Sequence, residues 1–367
     1  MFFESLEDRR LLNANGLFKH QAVHLKPGHV YTISKSIILR NNQRIIGSSA
    51  TNPPIIRFDK NTEAGIFIMP ENSYNIRIRN VKFHGKGSTP AIRVSGSSHY
   101  IGNISVSSNT GSGVIMNQAK NVLIENCTQT VYTRKGFIFG TNITNVTIRN
   151  ITTYGNLYEN DLRFHKFDGL YLTNIKIDGA NPKTKLRGNK LAGLKQNALR
   201  IHDGKNAFIN GLVATGNVTF GVMDEDNGGY SDLKKGNKKE FYRKMALTSQ
   251  VTAINIHIYG HLTLATNLHF KISNARIVSW DRGEAVSFNG KYGPFKQDSK
   301  KLIRKPAVGT FDKVKTYYSS LSPKNRNING VIKFFSKRIK TVNTAFANWI
   351  PKGNRLIDVR FNRKVVK

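Results

Sequence analysis

Apolar and polar residues alternate in short runs along most of this chain. In "NVTIRNITT", Asn145 to Thr153, Val146 and Ile148 share one side, Thr147 and Arg149 the other, and Ile151 resumes the apolar side after an asparagine. Alternation with a period of two predicts strands with one buried face, whereas a helix would repeat its apolar residues every three or four positions. The runs are also copies of one another. "NIRIRNVKF" from Asn75, "YIGNISVSS" from Tyr100, "NVLIENCTQ" from Asn121, "NVTIRNITT" and "LYLTNIKID" from Leu170 each carry an asparagine, at 80, 103, 126, 150 and 174, in steps of 23, 23, 24 and 24.

A second strand recurs with the same beat: "AIRVS" from Ala91, "GVIMN" from Gly113, "GFIFG" from Gly136, "DLRFH" from Asp161 and "ALRIH" from Ala198. Short strands repeating in this way predict an all-β parallel solenoid, because no coil buries its inner face until a neighbour stacks on it. An asparagine at one place in five successive coils suits a ladder, each member holding a tight left-handed bend and bonding to those above and below.

After Asn174 the beat lengthens. The equivalent of Asn174 is Gly211 and that of Arg163 is Arg200, both steps of 37, so an insertion near 180–195, "ANPKTKLRGNKLAG", is expected to project as a basic loop. A second irregular piece near 228–250 contains "KKEFYRKMAL", which has the pattern of a short helix, and the beat returns in "LHFKISNARI" and "EAVSFNG". The organisation is thus a cap over 1–23, a solenoid over 24–290 and a basic C-terminal extension over 291–367. In that extension "VIKFFSKRIKTVNTAF", from Val331, suits either an amphipathic helix burying Phe334, Phe335 and Ile339 or strands that cover the open end.

Charge changes the picture from scaffold to binder. The chain has 57 Lys+Arg against 22 Asp+Glu, a net charge of +35, a field that favours polyanions. The extension alone holds 20 Lys+Arg against Asp298, Asp312 and Asp358. A single cysteine, Cys127, excludes an intrachain disulfide. No apolar run approaches the roughly 20 residues of a membrane span, and the N-terminus shows no secretory signal, so a soluble chain or an unusual export address is expected. No nucleic-acid module is recognised, only charge.

"HLKPGHVYTISKSIILRNNQRIIG", His24 to Gly47, carries Pro27, Gly28, Tyr31 and Ile33, then Ile37 and Leu39, then Ile45 and Gly47. These phrases resemble the opening coil of pectate-lyase-like right-handed parallel β-helix proteins, and the resemblance implies a single-stranded right-handed parallel β-helix over roughly 24–290. The Asn-Thr-Asp, Asp-Asp, Gly-His-Gly and Arg-x-Lys patterns of polygalacturonase-like hydrolases are absent, and "YGHL" from Tyr259 has half of the third. Pectate-lyase carboxylate and arginine patterns are absent too. The calcium-dependent alginate and chondroitin lyases on this fold, with a Lys and an Arg near a small acidic cluster, are the loosest and nearest comparison. At the N-terminus "FFESLEDRRLLNANG" resembles the LEPR-xLL motif of planctomycete secreted and surface proteins through Leu6, Glu7, Arg9, Leu11 and Leu12, with Asp8 in the proline's place. That resemblance implies an extracellular or cell-surface location; an ordinary capping helix is compatible with the same residues.

The candidate chemistry follows from register. If Leu162, Phe164, Leu199 and Ile201 face the core, then Arg163, His165, Arg200 and His202 face outward, and the 37-residue step stacks Arg200 on Arg163 and His202 on His165 at about 4.8 Å. Arg93 shares the arginine column, with Ile115 and Ile138 expected between. Stacked like charges destabilise a sheet unless an anion is shared. A carboxylate or sulfate held by Arg163, Arg93 and Lys205 would complete the group, with Arg200, His202 and His165 as the catalytic set for β-elimination from a uronate: cations for the enolate-like charge, a neutral histidine for the C5 proton. Pairing with Asp161, Asp168 and Asp203 is the structural alternative.

One further coil of 23 residues from His202 would bring Glu225, with Asp224 and Asp226, to the same surface, where the three could hold a calcium ion or neutralise Arg200. No zinc-type Cys/His spacing, phosphate loop or nucleophile elbow is present. The expectation is a protein, monomeric by preference, that binds an acidic polysaccharide and cleaves it by elimination. The alternative is a non-catalytic surface protein whose basic face binds anionic glycans.

Overall fold

The computed structural model describes residues 14–60, 62, 64–87, 89–106, 111–129, 136–154, 161–178, 197–221, 248–279, 285–288, 307–319, 339–340 and 354–361. Residues 1–13 with the LEPR-like motif, the 180–195 insertion, "KKEFYRKMAL" and Asp224 to Asp226 lie outside the described residues. So does "VIKFFSKRIKTVNTAF" apart from Ile339 and Lys340, which pair antiparallel with Ser319 and Tyr318 as a short strand.

The described strands join into one sheet wound about a long axis. Each coil crosses three faces. On the first, Val114, Ile138, Leu162, Leu199 and Val218 follow one another in parallel register. On the second, Val122, Val146, Leu170, Ala207 and Val251 do so, and on the third Cys127, Ile151, Ile175, Leu212 and Ile256. All of these residues are buried and belong to one continuous core. Phenylalanines thicken its ends: Phe18 of the 3-10 turn Ala14–Lys19 meets Phe67 edge-on at 5.1 Å, and Phe270 meets Phe311 at 4.8 Å.

The asparagine ladder is formed as the repeat requires. Asn80, Asn103, Asn126, Asn150 and Asn174 all have φ between 50° and 56°. The side-chain amide of Asn103 donates to Asn80 at 2.9 Å, Asn150 to Asn126 at 2.9 Å and Asn174 to Asn150 at 3.2 Å. Gly211 continues the column with φ 74°, and a Cβ there would stand 2.9 Å from Asn174 Oδ1, so the glycine leaves room for the amide below. Two further left-handed columns were not anticipated. Asn75, Ser98, Asn121, Asn145 and Asn206 turn the chain into the second face, and Gln118, Asn142, Lys166 and Asp203 bend it at the end of the first. Mixed residue types hide these corners from a search for one repeated letter.

The 37-residue step is confirmed at both places, with Arg163 opposite Arg200 and Thr173 opposite Asn210. The stack does not end at Phe288. Val308–Ser319 pairs in parallel with Leu268–Ser279, and Arg355–Ile357 pairs with it in turn, inside the stretch set apart by charge as an extension.

Candidate functional site on the first face

Alternation along Leu162–Asp178 turns Leu162 and Phe164 into the core and leaves Arg163 and His165 half-buried on the outside. On the next coil Leu199 and Ile201 are buried likewise, and Arg200 and His202 sit in register on Arg163 and His165. The imidazoles of His165 and His202 stack with centroids 5.1 Å apart and planes 11° from parallel.

Exposure separates the two rungs. Arg200 is 6% exposed and His202 0%, so the upper pair is closed off from solvent while the lower pair is not. His202 Nδ1 lies 3.1 Å from Asp203 Oδ2, and Asp203, in a left-handed bend at φ 57°, donates its backbone N–H to Ser249 Oγ, 2.8 Å away. The aspartate fixes the imidazole's orientation, as a second partner commonly does for a functional histidine. This realises part of the structural alternative, since Asp203 does pair with His202.

Burial first, and then the neighbouring His202 and Arg163, pull the pKa of His165 down to about 4, while Asp203 opposes the shift. The imidazole is therefore neutral and able to accept a proton at pH 7.

His165 and Arg163 line a pocket of about 200 Å³ together with Ile115, Met116, Phe139, Gly140 and Thr141. The register corrects one expectation. The residues between Arg93 and Arg163 are Ile115 and Phe139, not Ile138, which points into the core and is fully buried. A 24-residue step back from Arg163 leads to Phe139. The signal was therefore present, but three apolar residues in a row, Phe137 to Phe139, conceal which of them faces out. Arg93 and Arg163 thus bracket an apolar floor, three rungs or about 14 Å apart.

Lys205 falls elsewhere: it lies beyond the Asp203 bend, exposed, opposite Asp168 at the start of the second face. Asp168 also accepts a hydrogen bond from Asn206 Nδ2 at 2.9 Å. The next coil is shorter than the beat. Thr219 stacks on Arg200 and Phe220 on Ile201, a step of 19, which overturns the 23-residue step that aligned Glu225 with His202. Asp224, Glu225 and Asp226 are outside the described residues, and among the described residues no group of three His, Cys, Asp or Glu is placed to hold a metal ion. No described helix is long and apolar enough to cross a membrane.

A family model described as the right-handed beta helix region matches residues 64–234. With coils stacked in parallel from Ala22 to Phe361, the chain has the fold of a right-handed parallel β-helix. No curated protein sequence matches it. Among solved structures it is similar to the A-module of a mannuronan C-5 epimerase of Azotobacter vinelandii, at 11% identity over 96% of this chain and 89% of that one, with a TM-score of 0.43. It is similar to the catalytic domain of an alpha-1,3-glucanase at 12% identity over 95% and 68%, with a TM-score of 0.42. It is also similar to a tailspike protein of Acinetobacter baumannii bacteriophage Fri1, described as a capsular polysaccharide depolymerase, at 13% identity over 93% and 52%, with a TM-score of 0.47.

Proposed function

We propose that the first face binds an acidic polysaccharide and cleaves it by β-elimination. The observation that carries this reading is the pairing of Arg163 with a neutral, half-buried His165 at the end of an apolar pocket. A uronate ring lying on Ile115 and Phe139 brings its carboxylate to the Arg163 guanidinium, which binds carboxylates in a forked geometry and offsets the charge that builds as C5 loses its proton. His165 takes that proton. The C4–O4 bond then breaks with its electron pair leaving on oxygen, a C4–C5 double bond forms, and the imidazolium returns its proton to the departing oxygen. Arg93 holds a second carboxylate along the same chain. Arg200 and His202, buried behind, act as positioning residues in place of the direct roles expected for them. Calcium at Asp224 to Asp226 is no part of this reading. The LEPR-like N-terminus supports an extracellular or cell-surface setting, where such polymers occur.

The test is the rise in ultraviolet absorbance from unsaturated uronate ends on alginate, pectate, glycosaminoglycan and ulvan, lost in Arg163→Ala and His165→Gln. Absence of product on the whole panel would overturn the enzyme reading. A non-catalytic glycan-binding surface protein is the second reading. It is favoured by the burial of Arg200 and His202, which leaves His165 as the one histidine among the described residues that lines the pocket.

A further inference from the structure

The third face carries an outward column that neither the repeat nor the first-face site uses. In register, Lys176 is followed by Val213, His257, Arg276 and Lys315, and the backbone of Arg360 continues it. Lys176, His257 and Lys315 are exposed and Arg276 is half-buried. Toward the N-terminus the same column presents Ser105, Thr128 and Thr152, so it contains no carboxylate from Ser105 to Lys315. Basic side chains on three successive rungs, spaced about 4.8 Å, repel one another unless an anion lies along them.

The neighbouring outward column runs Asp178, Thr215, Tyr259, Val278 and Tyr317, so it is polar beside Lys176 and Val213 and becomes apolar and aromatic beside His257, Arg276 and Lys315. Val278 is fully buried between Tyr259 and Tyr317, which pack against it from the rungs on either side. The Arg276 guanidinium lies over the Tyr317 ring, 5.0 Å from its centroid, and Arg276 Nε is buried without a hydrogen bond. Cation–π seating fixes the direction of an otherwise mobile side chain. The result is a straight cationic track running along the solenoid axis, with a hydrophobic shoulder.

We infer that this third-face track, formed by Lys176, His257, Arg276 and Lys315 beside Tyr259, Val278 and Tyr317, is a second binding site that holds an extended acidic polysaccharide lengthwise. The rung spacing is close to the length of one sugar residue, so the carboxylates or sulfates of successive residues keep pace with the basic rungs His257, Arg276 and Lys315, and Lys176 meets the chain beyond the uncharged rung at Val213. The hydroxyl rungs suit sugar hydroxyls in the continuing chain. A nucleic acid fits less well. A duplex strand sets its phosphates about 3.4 Å apart along the axis and winds away from a straight column. Single strands need open aromatic faces for base stacking, and here Arg276 takes the face of Tyr317. The inference is independent of elimination at the first face.

The test measures binding of the full chain to long polygalacturonate and to oligodeoxythymidylate over a series of salt concentrations. The double variant Lys176→Gln/Lys315→Gln changes exposed side chains only, and an unchanged melting temperature verifies its fold. It is expected to bind polygalacturonate about tenfold more weakly. Its log–log salt slope should be smaller by about 1.5, given the roughly 0.7 contributed per contact on flexible polyanions such as single-stranded nucleic acid. Arg276→Lys, which keeps the charge and whose fold is verified by its own melting temperature, is expected to lose part of the affinity with little change in slope. The control Lys35→Gln/Lys60→Gln, on exposed lysines elsewhere, should bind as the parent does. Unchanged affinity in the Lys176/Lys315 variant overturns the inference, as does an equal loss in the control. Loss of oligodeoxythymidylate binding with polygalacturonate binding intact overturns it in favour of nucleic acid. The His165→Gln protein should bind the long polymer on this track normally whether or not the parent shows elimination, which keeps the two readings separable.

Discussion

His165 and His202 stack face to face on adjacent coils at 5.1 Å, and only the lower ring reaches the pocket. Two imidazoles at this distance cannot both be charged cheaply, so protonation of either works against the other. The stack therefore provides a neutral acceptor held at fixed orientation, with His202 oriented by Asp203.

Stability should report this directly. His165 has a folded pKa of about 4 against 6.5 for the free side chain, so between these values the unfolded chain binds the proton that the folded chain refuses. Stability is then full above pH 6.5 and falls as pH drops toward 4. For a partly exposed group the loss is about 1–2 kcal/mol after discounting for solvent. Urea melts of parent and His165→Gln at pH 7 and pH 4.5 should show the parent losing more. An equal loss in both would mean that His165 is not held neutral.

Register makes a second prediction from adjacent residues. Ile138 is fully buried and Phe139 lies on the pocket side. Ile138→Ala should cost about 2–4 kcal/mol, as a buried isoleucine truncation does. Phe139→Ala should cost much less in stability and should weaken binding of short oligouronates. Reversed effects would place the chain one residue out of register, since a slip of one exchanges inside for outside.

Much of this was legible in the sequence because a solenoid writes its geometry as a period. The pairings Arg163 with Arg200 and Asn174 with Gly211 follow from the 37-residue step alone. What failed to read were departures from the period. The 19-residue step to Thr219 carries no marker, so Glu225 was aligned wrongly with His202. Ser249 Oγ, bonded to the Asp203 backbone from 46 residues away, follows an irregular segment that breaks the count. Burial of Arg200 and His202 was illegible for another reason. Alternation states which side of a sheet a residue faces, not what covers that side.

The ladder asparagines are required by conformation as well as by hydrogen bonding. Asn150 has φ 55°, donates to Asn126 and accepts from Asn174. Asn150→Ala loses both bonds and puts a Cβ residue without a polar side chain in the left-handed region, an expected cost of about 2–3 kcal/mol. Asn150→Gly keeps the conformation and should cost about 1 kcal/mol less. Equal losses in denaturant melts would leave hydrogen bonding as the sole contribution.

On the second face Tyr100 donates its hydroxyl to Glu125 Oε1 at 2.8 Å, and Arg149 Nε donates to Glu125 Oε2 at 2.6 Å. Burial raises the Glu125 pKa, but the bonds from Tyr100 and Arg149 outweigh it, and the net shift is downward. The stabilisation is therefore present at neutral pH and lost as pH falls through the carboxylate range. The Tyr100 ring crosses Gly102, where a Cβ would stand 2.3 Å from the phenol oxygen. Gly102→Ala should displace the ring, break the bond to Glu125 and destabilise by about 1–3 kcal/mol. In the Tyr100→Phe background, where that bond is already absent, the added cost of Gly102→Ala should be smaller; strict additivity would count against the arrangement.

Cys127 tests the closure of the third face. It is fully buried among the inward residues, opposite Ile151, with its Sγ donating to the Glu125 carbonyl at 3.0 Å, and burial pushes its pKa up to about 12. The thiolate is the reactive form, so both access and ionisation are denied in the folded chain. A thiol reagent at pH 8 should leave native protein unlabelled over hours, and labelling should rise with urea in step with unfolding. Because Cys127 sits mid-stack, any opening that exposes it must separate coils on both sides, and labelling well below the unfolding midpoint would reveal such local opening. Stoichiometric labelling on mixing would show that the inner face of the coil is accessible, contrary to the packing of Cys127 between Ile104 and Ile151 in the one continuous core.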